Sequence, residues 1–458
     1  MELISFLILC AWVIVVVWNI RWATIILPAF FPLYLIKFKI GFVPFNVVEV
    51  MVYLVFAIFL CRVLCERFLK KSDYEKLGEK FLRGRVLRFA IPVVGLVLGS
   101  LGGLYMAYLR GDIVSALVIF KGLVVMPILY SILVISVLKT VRDKKLTFYF
   151  YMLSVFGLSL WAFWQAISGE YITIDQRASG PFESANYLAL YIGSCVILSG
   201  VLLWQRIEQR FTGNKLLGWI KGVSCDDFDA GKIFSFWAIF EFVVFVSSFL
   251  ALILSRSYGG IIAVFAAFSF YVVYELFFSN FKEKYGRFWI KFFVFFGVVL
   301  LAVLTVYSQL NTNKFKDFLA FNQQSSSSVR IQVWTTAATF IEENPVLGIG
   351  LGRFERLYGE RAGEILGVTP YEKTMLQPHN LILSTWLNAG LIGVVSIIWL
   401  AVAVFLSLRR EEISLDEKRF MFIVVLMFIV ICVHGVVDQP FWKNDLALIW
   451  WMIVGSVI

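Results

Sequence analysis

Two histidines, His379 and His434, are all that this chain of 458 residues contains. Its six cysteines are scattered from Cys10 to Cys432, and no two form a CxxC pair. These shortages argue against a zinc site and give no support to a disulfide framework. Charge is scarce as well: Asp, Glu, Lys and Arg make up 16% of the chain and hydrophobic residues 60%, a balance that no water-soluble core of this size needs. Leu3–Val17 has neither a basic leader nor a small-residue cleavage site, so it is expected to be retained.

What the chain has in abundance is apolar sequence, with a mean hydropathy of +0.84. Stretches of about 15 to 26 apolar residues recur from end to end, and roughly 20 residues at 1.5 Å rise cross a bilayer core. Thirteen candidates run from Leu3–Val17 and Trp22–Ile36 through Ile113–Leu138, Phe288–Tyr307 and Leu381–Leu406 to Leu446–Ile458. The expected fold class is all-α, a polytopic integral membrane protein with about 12 to 13 transmembrane helices. The net charge of +10 is spread over short loops, which points to membrane topology rather than nucleic acid.

The loop Glu66–Arg88 holds eight Lys and Arg and marks the cytoplasmic side. Alternation from there places KTVRDKK (Lys139–Lys145), the 205–232 loop, the Lys282–Lys291 turn and Arg409–Arg419 on that side, all of them basic. The long loop 308–380 then lies outside. The N-terminus is open: thirteen full spans put Met1 outside, whereas a half-crossing first pair puts it inside. The expected organisation is 1–170 N-terminal helices, 171–307 helices with outer-face arginines, the 308–380 loop, and 381–458 C-terminal helices.

On this topology a short set of polar residues collects at outer span ends: Arg177 in TIDQRASGPFESANYLALY, Arg256 in LSRSYGG, Arg330 in SSSVRIQVW, His379 in QPHN and Asp438 in HGVVDQPFW. Any one arginine could be a plain interfacial residue, but charges near bilayer depth are costly and mark function. Spans that begin at this face present their N-termini there, with Ser184, Ser255 or Ser257, and Pro378–Asn380 as openings. Converging arginines and helix ends would hold a strongly anionic group such as a diphosphate. His379 is read as a general base in preference to a simple helix cap. Asp438 either pairs with His434, four residues back on one helix, or orients His379 or an arginine. A helix over Val329–Glu343 should stop before Pro345, after a flexible tract at Ser325–Ser328. In NPVLGIGLGRF the alternating glycines suit a tight turn against another element better than anion-binding amides. Gly390 lies about 16 Å down the helix from His379 and, with Gly393, offers a face for close packing. Glu241 and Glu275 fall within spans with no assigned role.

SVRIQVWTTAATFIEENPVLGIGLGRF followed by PHNLILSTWLNAGLIG resembles the core motif of the O-antigen ligase and polymerase superfamily. RASGPFESANYLALY, LSRSYGGIIAV and HGVVDQPFW resemble its outer-face arginine and terminal aspartate motifs. Arg353 to Leu357 and His379 to Gly390 fit the ligase spacings. The polymerases' paired arginine-to-glycine motif is not evident, since Leu188 stands where a glycine would follow Arg177. The resemblance implies a fold similar to the second lineage of the C-type glycosyltransferases. It further implies metal-independent, inverting transfer of a glycan from undecaprenyl diphosphate to an acceptor hydroxyl, lipid A core or similar, at the outer face of the bacterial inner membrane. In that scheme His379 and Asp438 are catalytic, Arg177, Arg256, Arg330 and Arg353 bind substrate, and no cofactor is needed. A polymerase, a protein O-oligosaccharyltransferase or, in another class, a transporter or flippase remain the alternatives. A transporter would place its polar residues near the bilayer midplane rather than at one face.

Overall fold

In this computed structural model, residues 2–41, 43–69, 84–211, 236–277, 307, 326–410 and 413–458 are described. They form α1 (Glu2–Trp18), α2 (Ile20–Ile26), a 3-10 helix (Leu27–Leu35), strands β1 (Lys37–Ile40) and β2 (Val43–Asn46), and α3 (Val47–Leu69). Next come α4 (Gly84–Leu109), α5 (Ile113–Ile119), a π segment (Phe120–Val125), α6 (Met126–Val137), α7 (Val141–Ser168), α8 (Ala185–Phe211), α9 (Phe236–Leu254) and α10 (Tyr258–Phe277). The chain closes with α11 (Ser326–Glu343), α12 (Phe354–Leu366), α13 (Leu381–Leu406), α14 (Leu415–His434) and α15 (Asn444–Val457).

Seven described segments are long and apolar enough to cross a bilayer: Val47–Cys65, Leu87–Leu109, Ile113–Val137, Val141–Ser168, Ala185–Ile207, Phe236–Leu254 and Leu381–Arg409. The shorter apolar helices Leu3–Trp18, Ile20–Leu35, Tyr258–Tyr274 and Asn444–Val457 accompany them. The all-α, polytopic membrane architecture read from the sequence is therefore the one observed. The span expected at Phe288–Tyr307, except for its last residue, lies outside the described residues, as do loop 212–232 and the Lys282–Lys291 turn.

Local chemistry explains the departures from plain α-helix. In the second apolar stretch Pro28 and Pro32 each remove an N–H, and the backbone there tightens to the 3-10 helix. Pro127 cannot donate back to the preceding turn, and just before it the helix widens into the π segment. The hairpin β1–β2, with Lys37 opposite Asn46, was not anticipated. Its last residue, Asn46, caps α3 by accepting from Glu49 N at 2.9 Å. Ser326, expected in a flexible tract, already belongs to α11, and that helix does stop at Glu343, ahead of Pro345.

The chain divides into two compact units, one of Met1–Phe150, Leu304–Met421 and Cys432–Ile458, the other of Tyr151–Val303 and Phe422–Ile431. In the first, Trp12 Nε1 donates to Met51 O at 3.1 Å and Arg62 Nη2 to Val17 O at 3.4 Å. Hence α1 runs parallel to α3, Ile20–Leu35 carries the chain back, and α1 starts on the hairpin face. On the opposite face Arg21 Nε meets Asp143 Oδ2 at 3.0 Å, Lys145 pairs with Asp416 at 2.5 Å, and Lys144 Nζ donates to Ser456 O at 2.8 Å. KTVRDKK and the start of α14 therefore share a face, as charge alternation requires.

The tightest packing joins α4 to α13. A Cβ on Gly103 would strike the Asn388 carbonyl, and one on Gly99 would stand 2.9 Å from Gly393 N. Small residues here let backbones touch, as expected of Gly393. Gly390 does more than pack. It breaks α13, with φ 66 and ψ −169, a conformation essentially restricted to glycine. The break admits Leu391 N to the Val346 carbonyl at 3.0 Å, and a Cβ on Gly390 would collide with that carbonyl. Gly390→Ala is expected to destabilise the protein by about 3 kcal/mol or more, measured as loss of folded, monodisperse protein and a lower Tm in detergent.

In the second unit, Glu241 is fully buried and accepts both Arg206 Nε at 2.8 Å and Arg206 Nη2 at 2.7 Å. This bidentate clamp ties α8 to α9 and supplies the role that sequence left blank. The side chain of Glu275 lies outside the described residues.

Candidate active site

The connection between α14 and α15 organises one group of residues. The successive carbonyls of Gly435, Val436 and Val437 accept from Leu381 N at 2.7 Å, Asn380 Nδ2 at 2.8 Å and Arg330 Nε at 3.0 Å. Three polar bonds therefore hold α11 and the start of α13 to one short turn. Trp334 Nε1 donates to Pro378 O at 2.8 Å and Gln377 Nε2 to Trp442 O at 2.9 Å. Asn380 caps α13 through Leu383 N at 3.0 Å, as expected for the opening of that span.

His379 stands just before this cap with φ 48, a left-handed backbone uncommon outside glycine and asparagine. Its Nδ1 lies 3.0 Å from Asp438 Oδ1. The histidine side chain is 34% exposed, whereas Asp438 is 3% exposed, so the carboxylate is buried behind the ring. Burial alone would raise the Asp438 carboxyl. The charge and hydrogen bond of His379, with Lys443 and His434 nearby, outweigh it and hold that carboxyl well below the usual range. An ionised Asp438 makes Nδ1 the donor and leaves Nε2 as the basic nitrogen.

A depressed carboxyl contributes stability that is complete above its unfolded value, about pH 4, and is lost as pH falls towards its folded value. The Tm of the protein is expected to hold from neutrality to about pH 4 and to drop in stronger acid. Asp438→Asn should lower the neutral plateau and flatten that acid limb, as read by thermal unfolding across pH.

Asp438 does not continue a helix with His434: α14 ends at His434, and only the Asp438 backbone N–H returns to His434 O, at 3.0 Å. The imidazole of His434 is 1% exposed, and its Nδ1 has no hydrogen-bond partner among the described residues. Lys443, ahead of α15, adds a cation beside Asp438. The sequence reading missed it by searching the outer face for arginines alone; its place at the start of the last span was the available signal.

Arg177 and Arg256 fall in the second unit. Arg177 Nη1 donates to Asn186 Oδ1 at 3.1 Å and to Ser255 O at 3.4 Å, and its Nε pairs with Asp175. The two motifs therefore meet, because Ser255 immediately precedes Arg256. Arg256 is exposed and, like His379, has a left-handed backbone, φ 47. Ser184 serves the next helix as anticipated, accepting from Asn186 N at 3.2 Å. Ser255 Oγ accepts from Ser257 N at 3.3 Å ahead of α10.

Arg353, expected to bind substrate, is 8% exposed and is employed inside the protein: Nε to Asp112 Oδ2 at 2.8 Å, Nη1 to Ile349 O at 2.9 Å. Arg356 shares Asp112 at 2.9 Å, and the two arginines, Arg353 foremost, hold that carboxyl below its ordinary value. The glycine turn is occupied in the same way. Ile349 N and Gly350 N donate to Leu387 O, Leu351 N to Gly103 O, and Gly352 N to Asn388 Oδ1 at 2.8 Å. Gly348, Gly350 and Gly352 all have positive φ. This is the tight turn expected, with its amides bound to neighbouring backbone and to Asn388. Among the described residues no group of three or more His, Cys, Asp or Glu could hold a metal.

Residues 243–398 match the family model described as O-antigen ligase. That span includes Arg256, Arg330, Arg353, the glycine turn and His379; Arg177 and Asp438 lie beyond it. An O-antigen ligase of Salmonella typhimurium (strain LT2) is 34% identical over 130 residues, covering 26% of this chain and 32% of that protein. A Rickettsia conorii protein named as a polysaccharide ligase is 27% identical over 136 residues, covering 29% of this chain and 30% of that one. The chain spans about a third of the length of the curated relatives it matches.

Proposed function

We propose that this chain, which carries the O-antigen ligase family domain across residues 243–398, is a membrane glycosyltransferase. It moves a glycan from undecaprenyl diphosphate to the hydroxyl of an acceptor, lipid A core or a similar glycan, at the outer face of the bacterial inner membrane. The observation that carries this reading is the buried Asp438 carboxylate 3.0 Å from the half-exposed His379 ring. Such a pair presents one basic nitrogen to a ligand while the other is fixed.

In the proposed reaction His379 Nε2 takes the proton of the acceptor hydroxyl as its oxygen attacks the anomeric carbon. The new C–O bond forms on the face opposite the departing phosphate oxygen, so configuration inverts. The electron pair of the broken bond leaves on the diphosphate, and the proton passes from His379 to water. Asp438 stabilises the imidazolium formed in between. Arg256 with Arg177, and Arg330, bind the diphosphate and its developing charge, each charge-assisted bond contributing about 1.5 to 3 kcal/mol. Arg353 acts at one remove, by holding the glycine turn.

Purified protein given polyprenyl-diphosphate-linked glycan and lipid A core is expected to form the conjugate and release undecaprenyl diphosphate in the presence of a chelator. Glycan chains that lengthen on the carrier instead would identify a polymerase, and a requirement for added metal would sink the proposed mechanism.

A further inference from the structure

The turn behind His379 carries polar atoms that its hydrogen bonds leave over. His434 is 1% exposed, and its Nδ1 has no partner among the described residues. Gln439 is fully buried; its Oε1 accepts from Phe441 N at 3.2 Å, whereas its Nε2 has no partner among the described residues. Asp438, between them in the chain, uses one oxygen twice. Its Oδ1 accepts from His379 Nδ1 at 3.0 Å and from Gln439 N at 2.8 Å, which leaves Oδ2 for another donor. Buried polar atoms are almost always paired, so three of them around one turn require a common partner.

The backbone keeps the three residues together. Val437 N and Asp438 N both donate to His434 O, at 3.1 and 3.0 Å, closing one turn beyond the end of α14. Residues four apart across such a turn present their side chains on one side, with Cβ atoms about 5 to 6 Å apart. The charge of Asp438 acts on the His434 imidazole, yet no direct bond joins the two side chains. A polar pair close enough to interact but not to bond is joined by an intervening water.

We propose that His434 is a positioning residue, which holds Asp438 against His379 through one buried water shared by His434 Nδ1, Asp438 Oδ2 and Gln439 Nε2. The inference rests on the reading of His379 as the general base. The bonding balances: the water donates one hydrogen to the carboxylate and one to Nδ1 of a neutral imidazole, and accepts one from the Gln439 amide. Three bonds are usual for a buried water. A cation fits worse, because Gln439 presents N–H groups and because Arg330 and Lys443 already place positive charge beside His434. With Oδ2 tied, the carboxylate is held from turning away from the base.

His434→Leu supplies no group for the water, whereas His434→Asn places an amide oxygen near the position of Nδ1. Both are first checked for folding by Tm in detergent, with His434→Met as the apolar substitute should leucine not fold. In the apolar variant single-turnover glycan transfer should fall about 10- to 100-fold, the cost of a misplaced catalytic group, with donor Kd unchanged. His434→Asn should recover most of the rate. A second readout needs no turnover. Neither replacement titrates, and His379, Arg330 and Lys443 are common to both, so a difference between their thermal-unfolding curves below about pH 4 reports Asp438. A carboxyl that keeps the water's hydrogen bond is held lower and loses more stability when protonated, so the acid limb of His434→Asn should be the steeper. Wild-type turnover in the folded apolar variant, equally slow turnover in both variants, a raised donor Kd, or equal acid limbs overturns the assignment. Wild-type protein that transfers no glycan overturns the reading of the reaction, and the acid limbs then decide the water bridge on their own.

Discussion

His379→Ala is expected to lower the rate of glycan transfer by about 100- to 10,000-fold, the range associated with loss of a general base, with donor affinity unchanged. The backbone makes alanine an imperfect probe, because φ at this position is 48 and alanine tolerates a left-handed conformation poorly. His379→Asn is the sharper variant: asparagine accepts that backbone yet supplies no base, so it should be equally inactive and better folded. Asp438→Asn should approach the same loss. An amide facing Nδ1 can donate rather than accept, which favours the tautomer with its proton on Nε2, where the base is needed. Single-turnover transfer and separate donor-binding measurements decide the matter. Normal turnover in folded His379→Asn would remove the base assignment, and loss of binding without loss of turnover at saturation would move His379 into recognition.

Loss of donor affinity is the second large effect, and the two arginine sites should lose it differently. Replacement of Arg256, which is exposed, should weaken donor binding roughly 10- to 150-fold in Kd at 1.5 to 3 kcal/mol. Arg256→Asn is preferred to alanine, because φ is 47 there. Arg330 carries a second duty, since its Nε donates to Val437 O at 3.0 Å, one residue before Asp438. Arg330→Ala should therefore raise Kd and also lower the single-turnover rate, by loosening the turn that presents Asp438 to His379. Equal and purely binding defects at both positions would show that the Val437 contact is immaterial to turnover, and unaltered Kd in either variant would count against its diphosphate role.

Much of this protein is legible in its sequence because a bilayer simplifies the problem. Runs such as Leu381–Leu406 and Val47–Cys65 must be helical where no water satisfies the backbone, and Lys and Arg in alternate loops fix which ends share a face. The caps were legible for a local reason: Ser184 and Asn380 bond to amides two or three residues away. The helix stop at Glu343 follows equally locally from Pro345. Candidate residues could be collected by the same logic, as costly polar groups at span ends.

Sequence by itself thus determined the membrane-spanning all-α class, the motifs that resemble the O-antigen ligase family and the set of polar residues at span ends. It did so because each depends on the solvent or on neighbours a few residues away. Only tertiary structure decided which partners those residues have. Asp438 faces His379, 59 residues distant in the chain, and not His434. Arg353 is held by Asp112, 241 residues away, and Glu241 by Arg206. Gly390 breaks its helix to admit the Val346 carbonyl, where periodicity showed an unbroken span. A charge or a strained torsion survives in an apolar medium only when a specific distant group compensates it, and the identity of that group is set by how the helices pack.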